Sequence, residues 1–402
     1  MMKIYLLKLL TLFLIIYSLG SCRNPIFYTV TQETPLIPPL IDGSPSNFAI
    51  LNNEMFVASG KTIFNFNENN KNNNGEIIWK NWQSLDNFNE NEKISYVAGL
   101  ATTDNSLYAL CLINDKGKIR RYYKEADSYK HEDFNGPKYN FQSIYTSGNV
   151  LFACVRNDDR TYTVFYKEEG ADFIEIPPIK IPLENSNFKT LDYILNGVAS
   201  DSNYYYLCTY SGIFYVEIVN INSSAATILK NEEDKAYTGF TGIINLNGNY
   251  VAAINKNGDL YEINDAKVVK KASFNDRRES TGALAIWKDK DQTKSLLLVG
   301  RSEYYYSTIS RYTNGYVEIE LDETGIKEGA NFREPGGNNS PTTIDNYDRY
   351  VSSLGKKIIN HFIQMPFAID EKMTLFASTQ KNGVWSYRDH NDGEGETWNA
   401  EK

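Results

Sequence analysis

Three histidines, four cysteines and 50 acids are the material for chemistry in this 402-residue chain. His131, His361 and His390 are scattered and no C-x-x-C occurs, so the ligand spacing of a zinc or dithiol site is missing. No G-x-S-x-G turn is present to activate a serine. His361 sits mid-strand in "INHFIQ"; on an innermost strand it would line an axial channel, which makes it a candidate ligand contact. Glycosidic cleavage needs two carboxylates at a fixed separation, and among so many acids spacing singles out no pair. "NDKG" (Asn114 to Gly117) and "NKNGD" (Asn255 to Asp259) are oxygen-rich like calcium loops. Both lack the distal bidentate acid and read as hairpin turns. The runs Tyr204 to Tyr206 and Tyr304 to Tyr306 read either as an aromatic platform for a ligand, led by Tyr204 and Tyr304, or as packing. Three consecutive strand residues must point to both faces, so each run contributes at least one ring to packing. The pairs Arg120-Arg121 and Arg277-Arg278 read as solvated surface. No catalytic residue, metal ligand or cofactor site is expected.

One residue has surroundings that specify a reaction. The chain opens "MMKIYLLKLLTLFLIIYSLGSC", with Lys3 before an apolar stretch from Ile4 to Tyr17 that only Lys8 and Thr11 interrupt. It is short for a transmembrane helix and fits a secretory signal over residues 1–21. Leu19, Gly20, Ser21 and Cys22 resemble a bacterial lipobox, which implies cleavage before Cys22 and diacylglycerol on its thiol. Small residues before the cut let the extended chain enter a peptidase. Several palmitate-type chains, at about 0.8 kcal/mol per buried CH₂, would hold Cys22 at a membrane. The competing reading is an ordinary signal peptide with a chance cysteine. The net charge of −9 becomes more negative once Lys3 and Lys8 are removed, which disfavours nucleic acid as a partner. Cys111, Cys154 and Cys208 lie in apolar runs and read as small buried hydrophobes.

The elements that would position any site recur along the chain. Apolar runs begin at Met55, Leu107, Leu151, Tyr205, Tyr250, Leu296 and Leu375, spaced by 52, 44, 54, 45, 46 and 79 residues. A polar turn precedes each, as at Asn52-Asn53 or Asn247-Gly248. Several have a second turn after them, as at Lys116-Gly117 or Asn382-Gly383. Most spacings match a four-stranded propeller blade. The long one is a blade plus an insertion over about 323–346, where "REPGGNNSPTTIDN" has almost nothing to bury. The runs are apolar at consecutive positions, as in strands covered on both faces, yet no helical period lies between them to do the covering. Sheet packed on sheet around an axis remains. The expected fold is therefore all-β: a β-propeller, most simply of seven four-stranded blades, over residues 45–402. Residues 22–44 would form an anchor and a ring-closing segment, with "IFYTVTQE" (Ile26 to Glu33) pairing with a terminal blade.

"CRNPIF" after the lipobox, "SSLGKKIINHF" and "NGVWSYRD…TWNAE" resemble a set of repetitive spirochaete lipoproteins, the treponemal type in particular. The resemblance spans the mature chain through structural motifs and implies a lipid-anchored propeller without an assigned activity. "HNDGEGETWN" (His390 to Asn399) is similar to the Asp-box of sialidase-like propellers, but Gly393 stands where the aspartate belongs. The expected function is non-catalytic: a monomeric binding or scaffold propeller for a protein or glycan, held to the outer membrane of the cell envelope through Cys22. A periplasmic outer-membrane assembly factor and a sialidase-like hydrolase are the alternatives.

Overall fold

The structure is a computed structural model. It describes residues 41–401 apart from 42, 70, 75–76, 80, 86–93, 127, 135–139, 158–161, 178–193, 231–236, 275–278, 289–293, 303–314, 334–353, 355–356, 368–372 and 390–395. Seven four-stranded antiparallel sheets follow one another along the chain, each taking its strands in sequence order from the inside outward. They form a seven-bladed β-propeller, as the recurring runs require. Those runs are the second strands of the blades: Glu54–Ser59, Ser106–Ile113, Val150–Arg156, Tyr204–Thr209, Val251–Asn255, Ser295–Arg301 and Leu375–Thr379.

The unbroken apolar character of these strands has a direct cause. Successive side chains point to opposite faces, and each face of a blade meets a neighbouring blade. The buried side chains accordingly sort into seven clusters, one for each pair of adjacent blades. Cys154 faces the interface of blades 3 and 4, whereas Cys208 faces that of blades 4 and 5. Cys111, Cys154 and Cys208 are buried thiols that form no disulfide. Each large side chain buried this way contributes about 1.5–3 kcal/mol.

Tight turns follow the expected chemistry. Asn52-Asn53, Asn114-Asp115 and Asp265-Ala266 each take two positive φ angles in succession, the geometry that matches strand twist in two-residue hairpins. The turn expected at Lys116-Gly117 falls two residues earlier. Gly117 is already in a strand, and a Cβ there would run into the Phe141 carbonyl. The expected insertion also begins later than position 323. Gly325–Ile326 is the outer strand of blade 6, Ile326 and Phe332 are buried, and Arg333 exchanges two backbone hydrogen bonds with Glu318. Residues 334–346 lie outside the described residues.

Blade 7 runs from inner strand Ile359–Gln364, which carries His361, to outer strand Glu396–Ala400. The proposed closing strand, Ile26 to Glu33, lies outside the described residues. Within them, blades 1 and 7 share no strand and are joined by side chains and one threaded segment. Ile41 is buried in their interface beside Phe66, Trp82 and Phe376. The Gly383 amide donates to the Gly43 carbonyl at 3.0 Å, and the Lys381 amide to Ser44 Oγ at 3.0 Å. Glu401, 1% exposed, accepts hydrogen bonds from Ser386 Oγ at 2.5 Å and from Trp82 Nε1 of blade 1 at 3.4 Å. Arg388 Nε stands 3.7 Å from the same carboxylate.

Candidate functional site at the channel mouth

The innermost strands depart from regular pairing at one level. In blade 4, Leu195 opposes Thr209 and Gly197 opposes Cys208, which leaves Asn196 without a partner in the ladder. The same extra residue appears as Ala98 in blade 2, Gln142 in blade 3, Thr241 in blade 5 and Asn360 in blade 7. Blade 6 has a wider version over Thr281, Gly282 and Ala283. In blade 1, Phe48 opposes Val57 while the Ser46 amide reaches the Ala58 carbonyl at 2.7 Å, so Asn47 is skipped. A β-bulge of this kind re-aims a side chain and releases backbone groups from the ladder. Here a bulge in each blade's inner strand, joined in blade 2 by a second at Ser95, builds a ring around the axis.

The ring encloses a cavity of about 440 Å³, and each of the seven blades contributes to its lining. Asn47, Gln142, Asn196 and Asn360 bring amides; Ser143, Thr241 and Thr281 bring hydroxyls; His361 and Tyr145 bring rings. In a chain with 23% charged residues, none of the described residues lining this cavity is Asp, Glu, Lys or Arg.

Some of these groups hold the ring together and others remain available. Asn47 clasps blade 2, donating from Nδ2 to the Leu100 carbonyl at 2.6 Å and accepting the Leu100 amide at 2.9 Å. Asn196 donates to the Phe240 carbonyl of blade 5 at 2.9 Å. Asn360 is exposed, and the Ser143 hydroxyl is buried with no hydrogen-bond partner among the described residues. Blades 5 and 6 touch backbone to backbone: a Cβ on Gly242 would collide with Gly282, and one on Gly282 with the Thr241 carbonyl.

His361 is in the channel wall, as its mid-strand position suggested. Its Nδ1 accepts the Phe48 amide at 3.2 Å, which assigns the imidazole proton to Nε2. Burial pushes its pKa down to about 4, so the ring is neutral at pH 7 and presents Nε2–H as a donor.

The other candidate residues are not brought to this site. Tyr204 is half-buried in the second strand of blade 4, edge-on to Tyr215 at 5.2 Å. Tyr206 lies on the same face with its hydroxyl on Asp201, while Tyr205 packs on Phe152 of blade 3 at 5.1 Å. Tyr304, Cys22 and the segment Leu19, Gly20, Ser21 lie outside the described residues. Trp398, from the Asp-box-like stretch, is buried against Tyr316 and Tyr387 in the seam between blades 6 and 7.

The oxygen-rich turn from Asn255 to Asp259 is occupied by protein groups. Asp259 receives Lys270 Nζ at 2.6 Å and Ser273 Oγ at 2.6 Å, which leaves a hairpin rather than a calcium loop. The pair Arg120-Arg121 corrects the expectation of solvated surface. Strand alternation sends the two to opposite faces, and each meets an acid on the neighbouring strand. Arg120, 2% exposed, makes two bonds to Asp133 at 2.6 and 3.1 Å. Arg121 bonds Glu132 at 2.8 Å, Glu169 at 2.6 Å and Ser106 Oγ at 2.7 Å. Burial works against ionisation of Glu169, but bonds from Thr103 and Ser106 and the Arg121 guanidinium prevail and hold its carboxyl below the usual range. Arg277-Arg278 lie outside the described residues.

The bulge ring itself was not anticipated, although a signal for it is present. Ala98-Gly99, Asn196-Gly197, Thr241-Gly242 and Thr281-Gly282 each place a glycine just inside an inner strand, where an isolated glycine marks a bulge or a close backbone approach.

The fold and this axial site define the class, a β-propeller with a neutral polar channel mouth. No protein-family model and no curated protein matches the sequence. Solved structures do match in fold. The extracellular domain of the putative one component system BT4673 from B. thetaiotaomicron aligns with TM-score 0.52 and 15% identity, over 88% of this chain and 39% of that one. YCF48 bound to D1 peptide aligns with TM-score 0.51 and 9% identity, over 87% and 93% of the two chains. A chain of the Mitotic Checkpoint Complex aligns with TM-score 0.52 and 10% identity, over 86% and 91%. Identities this low establish a shared propeller fold.

Proposed function

We propose that this chain is an exported, lipid-anchored propeller that works by binding, holding a protein or glycan partner at the channel mouth. The observation that carries the reading is the ring of bulges. Seven blades each break their inner-strand pairing at this level, six by one residue and blade 6 by a wider bulge, and the result is a concave site of uncharged donors and acceptors. Such a site can orient a ligand, and its described lining holds neither the carboxylate pair of a glycosidase nor an arginine for a substrate carboxylate. The leader and Cys22 supply the anchor in this reading, as in the treponemal-type lipoproteins the sequence resembles, and place the protein in the cell envelope. The likeness to an extracellular domain supports export.

A second reading, an outer-membrane assembly factor, draws support from the likeness to a propeller solved with a bound peptide. Surface exposure separates the two. Intact cells are treated with protease alongside a periplasmic control protein, and cells carrying Cys22→Ser are run in parallel with radiolabelled palmitate. Clipping of the chain while the control survives supports an outward-facing binding protein, and protection until the outer membrane is opened supports the assembly factor. Palmitate labelling that persists in Cys22→Ser would overturn the anchor.

A further inference from the structure

The chemistry of the mouth narrows the ligand. A charged ligand entering a cleft walled by seven sheets loses water and needs a counter-charge, and the described lining offers none. Phosphates, carboxylates and amines are therefore disfavoured there. An extended peptide wants backbone partners along a line, whereas these groups stand around a circle. A compact ring carrying hydroxyls on its rim matches that arrangement. Side-chain amides pair with neighbouring hydroxyls by donating through nitrogen and accepting through oxygen.

We propose that the channel mouth binds a neutral, polyhydroxylated ligand of one or two sugar rings. The assigned contacts are the Asn360 amide, Oε1 of Gln142, the Thr281 hydroxyl and Nε2–H of His361; Gln142 Nε2 already donates to Asn140 Oδ1 at 3.1 Å, and the Thr241 hydroxyl to the Ile254 carbonyl at 3.3 Å. The cavity of about 440 Å³ is within the roughly 300–1,000 Å³ usual for small-molecule sites. One group points to a ligand most directly. His361 has one nitrogen committed to Phe48 and the other left as a donor. Tyr145, also in the lining, supplies apolar surface for a sugar face.

This inference rests on the binding reading above, and its test is arranged so that the two fail separately. The full-length protein, purified from membranes in mild detergent, is titrated calorimetrically with glucose, galactose, N-acetylglucosamine, maltose and chitobiose. Glucuronate, glucosamine and glucose 6-phosphate are titrated as charged counterparts. One or more neutral sugars should bind at one per chain, at least tenfold tighter than any charged counterpart. Asn360→Ala and Thr281→Val should each weaken that binding at least fivefold. Asn360 is exposed and Thr281→Val keeps the shape, so neither should lower the melting temperature, and the melt is recorded for every variant. Charged sugars binding as tightly as neutral ones would overturn the proposal. So would the absence of any neutral-sugar heat at millimolar concentration in a protein that melts cooperatively. If no sugar binds but crosslinking in intact cells captures a protein on a photoreactive residue at position 360, the binding reading stands and the sugar proposal alone is lost.

Discussion

His361 Nδ1 accepts the Phe48 amide at 3.2 Å, joining the inner strand of blade 7 to that of blade 1 at the point where the ring closes. Burial holds the imidazole at about 4 against an ordinary 6.5. The unfolded chain therefore takes up the proton first. Stability from this group is complete above about pH 6.5 and declines as the pH falls toward 4. We expect His361→Gln, which keeps an acceptor for Phe48, to lessen the stability lost between pH 7 and 4.5 by about 2 kcal/mol. Urea denaturation of both proteins at several pH values measures this, and parallel curves would refute it.

Glu401 should matter to the same seam. Its carboxylate holds Ser386 and Trp82 and lies 3.7 Å from Arg388 Nε. Glu401→Ala leaves the buried Ser386 hydroxyl and Trp82 indole N–H without this acceptor, a loss of about 2 kcal/mol. A melting temperature within a degree of the parent's would show that the seam does not depend on it.

The contact between blades 5 and 6 depends on the absence of two side chains. Gly242→Ala places a methyl against the Gly282 backbone, which cannot swing aside as a side chain would. We expect a cost of about 2–3 kcal/mol. Gly239 has a positive φ but open space around it, so Gly239→Ala should cost about 1 kcal/mol. Equal losses for the two variants would rule out backbone contact as the cause.

Arg120 is buried and pairs with Asp133 on the exposed outer strand. Asp133→Ala, which takes this carboxylate from the buried guanidinium, should cost about 3 kcal/mol, while Arg120→Met combined with Asp133→Leu should recover much of it, because no buried charge is then left uncompensated. A double variant as unstable as the single one would argue against this pairing as the source of the loss.

Burial raises the thiol pKa of Cys154 to about 12 and that of Cys208 further. Since the thiolate is the reactive form, Cys111, Cys154 and Cys208 should resist Ellman's reagent in the folded protein and react in guanidinium. Rapid labelling at neutral pH without denaturant would mean that the blades separate transiently.

Much of the architecture was legible because it is written in consecutive residues. The run from Leu107 to Ile113 is apolar at each step since both of its faces are covered, and that pattern repeats at the blade period. The inner-strand position of His361 was legible for the same reason. Asn47, Gln142 and Asn360 were not, because a bulge is a relation between two strands and their neighbours in sequence look like ordinary loop residues. The burial of Arg120 was hidden too: nothing next to it reveals Asp133, which reaches it from the adjacent strand.

Within the described residues, each blade is built from its own stretch of chain, and the ring is closed by side chains and the short segment before blade 1. No seam is therefore privileged by shared backbone, and a whole blade with its following loop is the natural unit of duplication or exchange. Such a ring can gain diversity by copying blades and changing one residue in each, since the position that faces the axis recurs once per copy. At that position blades 1 to 7 carry Asn, Ala, Gln, Asn, Thr, Thr and Asn, so the mouth can be retuned one blade at a time.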